Sequence, residues 1–310
     1  MAADRPRHVL VTGAGGFVGQ ALVRALSNDW RVTATDRAGL AFADLPGVTP
    51  LPGDLADADL IARATAGPLD AVIHLATIPG GAAEVDPALA ARINVAASMA
   101  LIDAAATHGN RPRVLFASSI AVFGDPLPAY VDDDTPVKPM LRYGAHKAMV
   151  EEWIATMTRR GAIRGLSLRL PGIVARPQGP SGMKSAFLSD LFHDLRAGRP
   201  ICLPVSPDAT CWLLSRRTLT GQLVKALALP EDPADTRLTL PALRVTLRDL
   251  VAEVASQTGS DAALVSHAPD LALEAAFGRQ PPLCTPRADT LGLHHDGSLA
   301  ALVADALADL

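Results

Sequence analysis

The sequence predicts an α/β fold, a doubly wound parallel sheet followed by a smaller C-terminal region. Three observations carry this. Short apolar runs alternate with helical patterns from residue 8 to residue 170. The runs are almost continuously hydrophobic, as in strands covered on both faces. And Gly13, Gly16 and Gly19, spaced three apart, sit where the first run turns into the first helix.

Taken in order, residues 8–12 (HVLVT) form the first strand. Phe17, Val18, Leu22, Val23 and Leu26 recur at helical spacing, giving a helix over 17–28. Residues 31–35 (RVTAT) and 48–51 are the second and third strands, 57–66 a helix, and 71–75 (AVIHL) a buried fourth strand. The alanine-rich stretch 87–107 is helical, 113–118 (RVLFAS) is the fifth strand, 142–160 a helix and 166–170 (LSLRL) the sixth strand. A proline- and aspartate-rich loop at 125–140 is placed to cover a site. Beyond residue 171 the rhythm is broken by Pro171, Pro177, Pro180, Pro200, Pro204 and Pro207, with helices returning at 183–197, 216–228, 246–257 and 298–309. Residues 1–170 are therefore expected to form one Rossmann-type domain. Residues 171–310 are expected to form mainly a substrate-binding region that returns in part to the main sheet.

Composition narrows the function. The chain of 310 residues is 49% hydrophobic and 19% charged, ordinary for a globular enzyme. A formal charge of −4 leaves no basic footprint for nucleic acid, and 4% aromatic residues leave little to stack on bases. The N-terminus passes at once into a strand, with no signal peptide and no apolar stretch expected to span a bilayer. Cys202, Cys211 and Cys284 show no CxxC spacing and fit a reducing, cytoplasmic compartment. No His/Cys/Asp cluster has metal-ligand spacing, so no metal is expected.

The glycine loop Thr12-Gly13-Ala14-Gly15-Gly16-Phe17-Val18-Gly19 has the chemistry of a dinucleotide site. Gly13 allows the tight turn, Gly16 lets the backbone approach a pyrophosphate, and Gly19 lets helix and strand pack closely. Phe17 and Val18 open the helix, whose N-terminus favours phosphate charge. Asp36 ends the second strand, where a carboxylate accepts the adenosine ribose hydroxyls and repels a 2′-phosphate. NAD is thereby favoured over NADP, although Arg37 follows directly. Asp54 and Leu55 follow the third strand at the adenine position. Leu75 and Ala76 follow the fourth strand, where small residues let a cofactor pass. His74 is read as a strand residue, not a catalyst.

Ser119 ends the fifth strand, and its hydroxyl can bond a substrate oxygen. Tyr143 and Lys147 are four apart on a predicted helix and share a face. A lysine ammonium beside a phenol favours the phenolate, moving its pKa down from about 10 toward the operating pH. The set reads as machinery for moving a proton off or onto an oxygen beside a nicotinamide ring.

These residues, with Asn94-Val95 and Val122-Phe123-Gly124, resemble the extended short-chain dehydrogenase/reductases, the NAD-dependent epimerase/dehydratase family, over about residues 7–177. The resemblance implies that Tyr143 is the acid/base, that Lys147 lowers its pKa and binds the nicotinamide ribose, and that Ser119 polarises the substrate oxygen. It implies a relay asparagine near Asn94, a cofactor contact at Ile173, and a homodimer formed through helices 87–107 and 142–160. A narrower resemblance, to the D-erythronate dehydrogenase group, lies in Pro79–Glu84, Arg169–Pro177 and Cys211–Arg217. It implies NAD-dependent oxidation of the C2 hydroxyl of a small sugar acid, with Thr77, Ser119, Tyr143 and Arg217 lining the substrate pocket. Arg217 is then the candidate for the carboxylate, which a guanidinium fork suits. Trp212 is read as core or pocket wall. Two other readings share the N-terminal motifs. A nucleotide-sugar epimerase would need cations for a second diphosphate, with Lys184, Arg196, Arg199, Arg216 and Arg217 available. A non-catalytic dinucleotide sensor would not need the Tyr/Lys pair.

Overall fold

A computed structural model describes residues 6–179, 183–232 and 234–310. Met1–Arg5 and Pro180, used above, lie outside the described residues. The six expected strands form as β1 (His8–Thr12), β2 (Arg31–Asp36), β3 (Val48–Pro52), β4 (Ala71–His74), β5 (Arg113–Ser119) and β6 (Arg164–Leu170). Six short ones follow: β7 (Gly172–Val174), β8 (Ile201–Leu203), β9 (Thr210–Ser215), β10 (Arg237–Thr239), β11 (Leu243–Thr246) and β12 (Val265–His267). The main sheet is parallel throughout, in the order β10-β6-β5-β4-β1-β2-β3. The order reverses between β1 and β4, where Val11 pairs with Ile73. Open α/β sheets bind ligands at the carboxyl ends of the strands beside that reversal.

Helices cover both faces. α1 (Phe17–Leu26), α2 (Ala58–Ala64), α3 (Gly80–Val85), α4 (Pro87–Ala91), α5 (Ser98–Ala106) and α6 (Arg142–Arg159) belong to the first half. α7 (Phe187–Arg196), α8 (Arg216–Ala226), α9 (Leu247–Thr258), α10 (Leu271–Phe277), α11 (Pro286–Thr290) and α12 (Leu299–Ala308) follow. Between α4 and α5, Arg92–Ala97 is π-helical, so Pro87–Ala106 is one helix with a widened turn at its centre. Contrary to expectation, this stretch is long and apolar enough to cross a membrane by length and composition. Here it is a core helix. Ile93, Ala97, Leu101, Ile102 and Ala105 are buried, and it packs against α6 and α2.

One face of the main sheet joins Val9, Val11, Leu22 and Leu115 to Leu214, Leu219, Leu223 and Leu238 from the second half. The other joins Leu10, Val72 and Phe116 to α5 and α6. A separate core binds α7, α9 and α12 around Leu191, Phe192, Leu250 and Leu302. The loop 125–140 is tied to the C-terminal region. Val131 donates to Pro282 O at 3.0 Å, accepts from Cys284 N at 2.8 Å, and packs with Phe123 against Trp212, a core residue here.

Candidate active site

The glycine loop works by close approach. Gly13 has φ +71°, and a Cβ there would sit 2.7 Å from Ala76 N, inside the crossing between β1 and the end of β4. Thr12 seals the same crossing, accepting from Ala76 N at 3.3 Å and bonding His74 Nδ1 at 2.6 Å. Gly16 is the N-cap of α1 and supplies no side-chain acceptor, so the amides of the first turn, including Phe17 and Val18, remain open to an anion. Gly19 is buried beneath them. Gly13, Gly16, Asp36, Asp54, Leu55, Leu75, Ala76 and Thr77 line one open cleft of about 680 Å³ at the switch point. The Asp36 carboxylate accepts from Gly15 N at 3.1 Å and Arg37 N at 2.6 Å, which fixes it at the cleft wall. Bare helix amides at one end and an anchored carboxylate at the other fit the pyrophosphate and ribose of NAD.

Tyr143 stands in the first turn of α6, and Gly144 explains how it reaches β5. A Cβ at Gly144 would lie 2.2 Å from Ala121 O, so only glycine lets the helix meet the turn that follows Ser119. The hydroxyls of Ser119 and Thr77 lie beside the phenol. Burial raises the Tyr143 pKa, while Arg176 and those two hydroxyls pull it back down. Burial prevails and the phenol's pKa is raised; the largest opposing influence is Arg176, a residue the motif reading did not assign. Lys147 is buried, donates to Ala117 O at 2.6 Å, and has its Nζ 5.4 Å from the Tyr143 ring centroid. Burial lowers its pKa to about 7, against the pull of Glu151. Glu151 is itself buried, accepting from Ser118 at 2.5 Å and from Arg169 Nε and Nη2 at 3.0 and 2.9 Å.

Asn94 sits in the π turn and clamps the segment after β4. Its Oδ1 accepts from Ile78 N at 2.7 Å and Thr77 Oγ1 at 3.2 Å, and its Nδ2 donates to Ile78 O at 2.9 Å. His74 is wholly buried between Thr12 and Ser98, and burial with the Lys147 charge lowers its pKa to about 3. It is neutral and structural, as expected.

A second, small cavity, partly open to solvent, is lined by Ile173 and Arg176 with residues of α7. Arg217 is not brought to the site. Its side chain is 78% exposed at the start of α8 and pairs with Asp305 of α12 at 3.2 Å. The sequence offered a pointer to Arg176 in the stretch Arg169–Pro177, but nothing that separates its reach from that of Arg217.

Residues 9–210 match the NAD dependent epimerase/dehydratase family. The chain belongs to that family. It is 36% identical to a D-erythronate dehydrogenase of Cupriavidus necator, over 79% of this chain and 80% of the relative. It is 30% identical to a D-erythronate dehydrogenase of Haemophilus influenzae, over 84% of each. Among solved structures, one titled a nucleoside-diphosphate-sugar epimerase from Agrobacterium tumefaciens aligns with a TM-score of 0.86 at 29% identity, covering 96% of this chain and 92% of that one. The protein is an NAD-dependent dehydrogenase of the extended short-chain dehydrogenase/reductase type, on a Rossmann fold.

Proposed function

We propose that this enzyme oxidises the hydroxyl beside the carboxylate of a small sugar acid, D-erythronate or a close analogue, to the keto acid. The observation that carries this reading is Arg176, a guanidinium close enough to Tyr143 to favour its phenolate and open to the neighbouring cavity. A 2-hydroxy acid sets its carboxylate one carbon from the reacting hydroxyl. A cation beside the base is where such a substrate is best held, in bidentate geometry. Relatives named for D-erythronate support the same chemistry.

In this mechanism Tyr143 takes the hydroxyl proton as the carbinol carbon gives up hydride. When bound, NAD supplies the hydride acceptor. Ser119 and Thr77 hold the oxygen as its proton leaves. Lys147, whose Nζ lies 5.4 Å from the centroid of the phenol ring, would bind the nicotinamide ribose. Asn94 keeps Thr77 in place through Ile78. Gly13, Gly16, Phe17, Val18 and Gly19 hold the pyrophosphate, Asp36 the adenosine ribose, Asp54 and Leu55 the adenine, and Leu75, Ala76 and Ile173 the cofactor's flanks. The substrate role expected of Arg217 passes to Arg176.

Four of the five cations named for a nucleotide-sugar epimerase are engaged elsewhere. Arg199 pairs with Asp194, Arg216 with Asp309 and Arg217 with Asp305, while Arg196 donates to Leu307 O. We further take the enzyme to be a cytoplasmic homodimer meeting through the helices 87–106 and 142–159, where Met149 is 52% exposed.

The deciding experiment measures NADH formation with NAD and a panel of tetronates, aldonates and uronates. Turnover of a sugar acid is expected. Arg176→Met should raise KM for it about tenfold or more, the loss of a charge-assisted pair. No turnover of any acid, with NAD retained through purification, would move the assignment to the epimerase.

A further inference from the structure

The cavity beside Arg176 carries a feature that carboxylate binding does not use. Its far wall is α7, which contributes Ser189 and Asp190. Ser189 is buried, and Asp190 is half-buried. Among the described residues, the Asp190 carboxylate accepts no hydrogen bond and forms no ion pair. Its neighbour one turn on, Asp194, is neutralised by Arg199, whose Nε lies 2.9 Å away. Asp190 thus faces the cavity without a partner, and burial together with the Asp194 charge raises its pKa, with His193 opposing. The two walls are held at fixed separation, because His193 of α7 hydrogen-bonds Arg176 O at 2.7 Å.

We propose that this cavity is the subsite for the distal end of the substrate, with Arg176 holding the carboxylate and Asp190 accepting hydrogen bonds from the hydroxyls farther along the chain. The inference rests on the sugar-acid reading and deepens it. A cation at the Tyr143 end and an unpaired anion at the other match a molecule that is anionic at one end and rich in hydroxyl donors at the other. A carboxylate can accept from two hydroxyls of a vicinal diol at once. The same Asp190 repels a second carboxylate, so the subsite selects monocarboxylic polyols and rejects dicarboxylic hydroxy acids of equal length.

The test compares kcat/KM for three four-carbon acids: a 2,3,4-trihydroxy acid, 2-hydroxybutanoate, and a dicarboxylic 2-hydroxy acid. The wild-type enzyme should prefer the trihydroxy acid over 2-hydroxybutanoate by at least about tenfold, as sites built to bond a hydroxyl do. It should turn over the dicarboxylic acid least. Asp190→Asn should lose most of the first preference through its trihydroxy value, leave 2-hydroxybutanoate within about twofold, and gain on the dicarboxylic acid. A wild-type enzyme indifferent to the distal hydroxyls would overturn the subsite while leaving the sugar-acid function standing. So would an Asp190→Asn variant with unchanged ratios, or one that loses all three substrates equally while melting as the wild type does. If the wild type oxidises no hydroxy acid at all, the function falls and the subsite falls with it.

Discussion

At the scale of single residues, burial is the largest influence on the proton affinity of both Tyr143 and Lys147. Tyr143→Phe removes the phenol oxygen proposed to take the substrate proton and leaves the Gly144 approach intact. The variant should fold, bind NAD and lose roughly two to four orders of magnitude in kcat; near-wild-type turnover would remove the tyrosine mechanism. Lys147 makes a separate prediction about stability. Its folded pKa is about 7 against an ordinary 10.5, so between these values the unfolded chain binds the extra proton. Stability from this residue therefore rises with pH across that window and is smallest below it. Melting temperatures at pH 7 and pH 9 should show the wild type gaining relative to Lys147→Met, and equal slopes would refute the shift. The motif reading named Tyr143, Lys147 and Ser119 from one helix face and a strand end, where spacing fixes position, and Thr77 from the resemblance alone. It named Arg217 for the carboxylate and did not weigh Arg176. That choice depends on how the chain is traced after β6: β7 sends Arg176 back to the cavity, while α8 turns Arg217 out toward Asp305.

At the scale of elements, the π turn at Arg92–Ala97 does what a regular helix would not. It places Asn94 so that one carboxamide satisfies both polar groups of Ile78 and holds Thr77 as well. Widened turns of this kind recur at functional sites. Asn94→Ala removes the carboxamide partner of the Ile78 N–H and C=O, both part-buried, at a cost of about 1 kcal/mol for each. Its urea midpoint should fall and kcat should drop because Thr77 is released. Wild-type values for both would show that the clamp is not needed. The helix around Asn94 was readable from its alanine and leucine pattern, but the extra residue in the turn was not, since one residue is smaller than the uncertainty of a periodicity. The same limit hid β7, β8, β10 and β12. Each has three residues, fewer than alternation needs to declare itself. The strands β1, β4 and β5 were legible because burial on both faces makes them nearly continuous apolar runs.

At the scale of the whole molecule, the two halves of the sequence share one core. The sheet that carries the NAD cleft is completed at its edge by β10, and its α1 face is closed by α8. Leu214, Leu219, Leu223, Leu238, Leu240 and Leu293 are buried against Val9, Val11, Leu22 and Leu115. Burying six leucines contributes roughly ten kcal/mol or more. That rivals the entire net stability of about 5–15 kcal/mol for a typical domain. The sequence rhythm changes at residue 170, but the packing does not divide there. A fragment of residues 1–170 should therefore fail to fold on its own, although it contains the glycine loop, Asp36, Ser119, Tyr143 and Lys147. The full chain should carry the main-sheet core through a single calorimetric transition, shifted upward by NAD because ligand binds only the folded form. A soluble 1–170 fragment with native circular dichroism and NAD affinity would show that the C-terminal leucines are dispensable, and that the cleft is a property of the first half alone.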